Sequence, residues 1–217
     1  MVEWTPHRGW NFDLKIGTGS AGVVLIHEIF GFDDYIDSVA TKIQEAGFSA
    51  AAVDLYRGTR VRTIEDAQRI KRTVRPETVL DAIAAGQELL AQKMPKGSRI
   101  GSMGFGMGGG FALLGACDLP LDFCIDYYGQ IDPAEDIRGL RGPLLLLLAS
   151  EDDRVTPWAF EKLVPAARRE EKRLLIHLYP NTQDAFHRPD WAGHDPKAAK
   201  DAWFRTLSFL SEFSTPK

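Results

Sequence analysis

Short runs of uninterrupted apolar residues alternate along this chain with segments whose apolar positions recur every three or four residues. Gly22-Val-Val-Leu-Ile26 and residues 48–53 have the length and continuity of buried strands. Residues 99–104, 121–126, 143–149 and 173–178 read the same way. Between the first two, residues 34–45 place Ile36, Val39, Ala40 and Ile43 at helical spacing, with Gly47 at the stop position. A long helix is predicted over 77–92, with Val79, Leu80, Ile83, Ala84, Leu89 and Leu90 facing inward. Further helices are predicted over 107–116, 158–168 and 196–213, the last with a core stripe of Ala199, Trp203, Thr206, Leu207, Leu210 and Phe213. No element is assigned before residue 22 or between 54 and 76. Strands that are apolar on both faces and alternate with helices imply a mostly parallel sheet with helices on both faces, an α/β fold. Ligands then bind outside the carboxyl ends of the strands.

The bulk properties narrow the class. The chain has 217 residues, 44% apolar and 26% charged, which suits one soluble α/β domain over 1–217. A net charge of -4 argues against nucleic acid or an anionic membrane as partner. The start lacks the basic and apolar regions of a signal peptide. The longest apolar run, 144–149, is far short of the roughly 20 residues that span a bilayer. Two cysteines, Cys117 and Cys124, are too few for a disulfide framework. A cytoplasmic protein, monomeric or homodimeric, with a small-molecule ligand and neither cofactor nor metal, is the expectation.

The densest chemical signal is Gly104-Phe105-Gly106-Met107-Gly108-Gly109, directly after strand 99–104. A strand that breaks into G-x-nucleophile-x-G and then a helix is the nucleophile elbow of α/β-hydrolases. Its central position calls for Ser, Cys or Asp. Here it is Gly106, which has no side chain.

Several strings, in order, resemble the dienelactone hydrolase family. They are His27-Glu28-Ile29-Phe30-Gly31, Val53-Asp54-Leu55-Tyr56, the glycine-rich elbow, Tyr127-Tyr128-Gly129, Ala149 to Pro157 with its Asp152, Tyr179-Pro180 through Ala185-Phe186, and Arg188-Pro189 to Trp203. The resemblance covers nearly the whole chain and implies an α/β-hydrolase fold. The family hydrolyses lactones and small esters with a Cys-His-Asp triad. The resemblance puts the nucleophile on Gly106, the orienting acid on Asp152 (Asp153 being one residue off), and the histidine on Asp184. It also puts an acidic neighbour of the nucleophile on Glu28, and oxyanion N–H groups on Met107 and Ile29. Tyr56, Arg57 and Tyr128 follow strand ends and are candidates to hold substrate, with Phe32 and Trp191 as further aromatic walls and Arg60 as a second carboxylate anchor.

Glycine cannot attack a carbonyl, and a carboxylate with an ordinary pKa of about 3.9 is a poorer base near neutrality than imidazole. Three carboxylates in one partly buried site cannot all ionise cheaply. One keeps its proton, a cation such as Arg57 or Arg154 moves in, or a metal binds. Asp184 turned outward into its own loop is the alternative. A protonated acid beside an ionised one is an acid/base pair. The sequence therefore favours non-covalent acid/base chemistry (lactonisation, cyclisation, dehydration or hydrolysis by activated water) through Asp184, Asp152 and Glu28. The alternatives are an inactive protein that binds a small molecule, and a hydrolase with an unrecognised nucleophile. Ser102 should face away inside its strand, Cys124 should sit in the core, and Cys117 should be inert at a helix end. His27 should orient its loop, and His187 should serve a surface or loop role.

Overall fold

The computed structural model describes residues 2–131 and 134–215. Eight strands form one sheet in the order β1-β2-β4-β3-β5-β6-β7-β8. They are β1 (Trp4–His7), β2 (Trp10–Lys15), β3 (Ala21–Ile26), β4 (Ser49–Val53), β5 (Arg99–Phe105), β6 (Cys124–Tyr127), β7 (Leu144–Ala149) and β8 (Leu174–Tyr179). β1 and β2 run antiparallel to their neighbours, and every pair from β4 to β8 is parallel. The helices are α1 (Asp34–Glu45), α2 (Ile64–Lys71), α3 (Pro76–Lys93), α4 (Met107–Asp118), α5 (Val155–Trp158), α6 (Val164–Arg169) and α7 (Pro196–Ser211).

The period of two along each strand divides the core. In β3, Val24 and Ile26 join the cluster that holds Val79, Ile83 and Leu90 of α3 and Leu113 of α4. Val23 and Leu25 join the opposite cluster, with Ile36, Val39 and Ile43 of α1 and Phe209 and Leu210 of α7. Helices therefore cover both faces, as the apolar strands require. The Asp33 carboxylate caps α1 by accepting from the Ile36 N–H at 3.1 Å. Gly47, at φ +90°, stops the helix where the pattern placed the stop.

The structure amends several expected boundaries. The β1–β2 hairpin is an addition. Its two-residue turn puts Arg8 at φ +49° and Gly9 at φ +79°, as a type I′ turn demands. Helix α2 is a second addition, capped by the Thr63 side chain, which accepts from Asp66 N–H. The strand expected from residue 121 starts at Cys124. The helix expected from 158 starts at Val155 and passes through a π-helical turn, Ala159–Leu163, before α6. On α3, Leu80 and Ala84 are only half-buried, and Ala82, Ala85 and Gly86 face the core instead. On α7 the buried stripe runs through Ala198, Ala199, Ala202, Thr206, Phe209 and Leu210, so Trp203 and Leu207 lie at its margin.

Candidate functional site

A cavity of about 350 Å³ opens at the carboxyl ends of the central strands, lined by Glu28, Gly106, Met107, Asp184, Arg188 and Trp191 among others. Gly106 joins β5 to α4 with φ +52° and ψ -116°. That left-handed geometry is one that glycine adopts without penalty. A Cβ built on Gly106 meets no atom within 4 Å. The neighbouring glycines differ. A Cβ on Gly104 would strike the Gly108 carbonyl oxygen at 2.1 Å, and one on Gly108 would strike the His27 and Ile26 carbonyl oxygens at 2.4 Å.

The loop after β3 is fixed by backbone contacts. Leu55 N–H donates to His27 Nε2 at 3.2 Å, so His27 carries its proton on Nδ1 and donates it to the Glu28 carbonyl at 2.7 Å. Tyr56 Oη donates to the Ile29 carbonyl at 2.9 Å. Ile29 and Met107, the residues expected to supply oxyanion N–H groups, both line the cavity.

Charge is arranged in two groups. Glu28 is buried, and its Oε2 accepts from Arg188 Nη1 at 3.1 Å. Arg188 is divided among three carboxylates, reaching Asp33 at 2.6 Å and Asp190 at 2.8 Å as well. Burial outweighs this shared cation and pushes the Glu28 carboxyl up to about 7. Asp184 forms the second group. Its side chain is 50% exposed, with Arg154 Nη2 at 3.9 Å. Desolvation, then the nearby Asp152, raises its pKa, while Arg154 and Lys71 act in the opposite direction. Asp152 is buried. Its Oδ1 accepts from the N–H groups of Arg154 and Val155 at 2.9 Å each, and its Oδ2 has no hydrogen-bond partner among the described residues. Among the described residues, no three His, Cys, Asp or Glu side chains converge so as to hold a metal ion.

The structure brings Glu28, Gly106, Met107, Ile29, Tyr128 and Asp184 to one cavity, with Asp152 acting on Asp184. Asp153 is exposed, so Asp152 is the buried acid at this strand end. Two expected substrate contacts lie elsewhere. The Arg57 guanidinium stacks on the Trp10 ring at 4.3 Å and lines a separate groove with Thr73 and Thr78. Tyr56 also lines that groove, while its hydroxyl braces Ile29. Phe32 packs edge-on against Trp4 in an acidic groove that also contains Arg60. His187 is a core residue rather than a surface one. Its Nδ1 pairs with Tyr35 Oη at 2.8 Å, and burial drives its pKa down to about 3. Ser102 donates from within β5 to the Ala112 carbonyl at 2.7 Å. Cys117 and Cys124 are buried.

Sequence reasoning passed over Arg188, Gln68 and Lys71. Arg188 follows Asp184 by four residues, in a loop where Asp184, His187 and Trp191 were weighed and the arginine was not. Gln68 and Lys71 stand three residues apart on α2 and so share a face toward the cavity. The Thr63-x-x-Asp66 pattern is the signal that would have found α2.

Strand order, elbow and helices on both faces define an α/β-hydrolase fold. Within that class, residues 16–214 match the dienelactone hydrolase family, and the chain belongs to it. A putative carboxymethylenebutenolidase from Saccharolobus solfataricus is 29% identical and is matched over 88% of this chain and 89% of its own length. The carboxymethylenebutenolidase of Pseudomonas putida is 23% identical over 100% of this chain and 98% of its own. The crystal structure of a putative dienelactone hydrolase from Klebsiella pneumoniae superposes with a TM-score of 0.86 at 22% identity, covering 97% of this chain and 98% of that one. No helix among the described residues is long and apolar enough to cross a membrane.

Proposed function

We propose that the cavity takes a small lactone-, ester- or carboxylate-like molecule and acts on it by non-covalent acid/base chemistry. The observation that carries this reading is the open space over Gly106. A Cβ there meets nothing within 4 Å, and Glu28 and Asp184 line the same cavity. A water or a substrate atom fits there, beside the first turn of α4. Glu28 is the more deeply buried of the two and its carboxyl is raised to about 7, whereas Asp184 is half-exposed with Arg154 and Lys71 favouring its ionised form. Glu28 is then the acid and Asp184 the base, with Asp152 raising the basicity of Asp184. The burial of Ser102, Cys117 and Cys124 supports a mechanism without a protein nucleophile.

The contact between Arg188 and Glu28 favours a second reading, binding without turnover, since a neighbouring guanidinium favours the carboxylate form of Glu28, which has no proton to donate. Turnover of a panel of small lactones and esters separates the two. Asp184→Asn should abolish activity, while iodoacetamide and fluorophosphonates should leave the wild type unaffected. Saturable calorimetric binding with no turnover would establish the second reading. Covalent labelling coupled to loss of activity would reveal a nucleophilic hydrolase and overturn both.

A further inference from the structure

Asp126 lies within β6, which is buried along its whole length, and has no counterpart in the acid/base scheme. It is fully buried, and its Oδ1 accepts from the Gly129 N–H at 2.8 Å. Its Oδ2 has no hydrogen-bond partner among the described residues. The carboxyl fills a slot that two glycines leave open. A Cβ on Gly109 would come within 2.2 Å of Oδ1, and one on Gly129 within 2.6 Å. Gly109 belongs to the first turn of α4, and Gly129 to the turn after β6. The side chain is therefore a wedge between the helix that follows the elbow and the turn that carries Tyr128.

That turn is part of the cavity wall, to which Tyr128, Gly129 and Gln130 all contribute. Tyr128 sits at φ +46°, a conformation a bulky residue holds only when its surroundings impose it. Among the described residues, the groups around Asp126 offer no cation. In the sheet it is flanked by Gly104 of β5 and Leu146 of β7. The titratable side chain that feels it is the Cys124 thiol, which burial holds neutral. The first turn of α4 supplies only the partial charge of its N–H groups. Burial outweighs the Gly129 hydrogen bond and pushes the Asp126 carboxyl up to about 7.

We infer that Asp126 is a positioning residue for the cavity: its carboxyl wedges α4 against the Tyr128–Gln130 turn and fixes that wall, and a change in its protonation state is transmitted to the wall. This role stands whether the cavity catalyses or only binds.

The test is a nuclear magnetic resonance titration of the full chain, labelled with ¹⁵N and ¹³C. It is run in a Glu28→Gln background, because Glu28 is also raised to about 7 and shares the cavity. From about pH 5 to about pH 8.5, well above the ordinary carboxyl range, the Asp126 carboxyl carbon and the Gly129 amide should shift with one midpoint near 7. The Tyr128 and Gln130 amides should follow with the same midpoint. Adding Asp126→Asn, which keeps the acceptor and cannot ionise, should hold all three amides at their low-pH positions throughout. A carboxyl carbon that shows no midpoint in that range overturns the inference without need of the second variant. So do wall amides that stay still while Asp126 titrates, and an unchanged titration in the Asn variant.

Discussion

Arg188 Nη1 lies 3.1 Å from Glu28 Oε2, and both side chains are more than 90% buried. The same guanidinium lies over the rings of Phe30 and Tyr35, at 5.1 and 5.0 Å from their centroids. It thereby ties the loop after β3 to the loop before α7. Removing one partner of a buried pair leaves the other charge uncompensated, at a cost of about 3–5 kcal/mol. Arg188→Met should lower stability by that order in urea unfolding. Glu28→Gln in the same chain should recover part of the loss, because residue 28 is then neutral without having to take up a proton.

The acid/base assignment fixes the sign of the pH dependence. In the proposed scheme Glu28 is protonated and Asp184 ionised. Activity should therefore fall as pH rises through about 7, the pH at which Glu28 loses its proton. Below that, a second limb should lie above the ordinary Asp range, since the Asp184 pKa is raised. Glu28→Gln should remove the alkaline limb and lower the plateau by a factor of about 10²–10⁴. A rate that climbs through pH 7 would assign Glu28 as the base instead.

Gly106 and Asp184 can be changed together. A side chain at 106 meets open space but must adopt φ +52°, so Gly106→Cys should cost about 1–3 kcal/mol and still fold. Gly106→Cys with Asp184→His places a thiol and an imidazole beside Asp152. The double variant should show a burst of product from 4-nitrophenyl acetate and labelling by iodoacetamide at residue 106. Neither single variant should show the burst. Equal behaviour of the three would mean that residues 106 and 184 do not face one another.

His187 has its own signature. Its pKa is lowered to about 3, so the fold favours the neutral ring. Its contribution to stability is fully present above the unfolded value of about 6.5 and is lost as pH falls toward 3. His187→Gln should flatten that acid limb in thermal unfolding measured from pH 7 downward. It should also destabilise the protein at pH 7 by about 1–3 kcal/mol, through loss of the ring packing and the Tyr35 contact.

Much of the fold could be read from periodicity, because β3, β4, β5 and β7 are apolar on both faces and only a sheet covered on both sides accommodates that. The elbow was equally plain, its spacing being dictated by a tight strand-to-helix turn. The β1–β2 hairpin escaped notice because its turn is Arg8-Gly9 rather than Asn-Gly. Arg57 was misplaced because its position after β4 says which end of the sheet it occupies but not which side. Its left-handed backbone turns it toward Trp10. Arg188 and His187 are adjacent, yet one faces the cavity and the other the core. Only the three-dimensional course of the loop separates them.

The elbow holds three glycines for two different reasons. Those at 104 and 108 are imposed by carbonyl oxygens that leave no room for a methyl group, whereas the central one answers only to a torsion angle. An isolated codon change at 106 can thus install an attacking atom while the surrounding backbone stays where it is. On the proposed non-covalent reading, the distance between this chain and a covalent esterase is counted in substitutions, not in rearrangements of architecture.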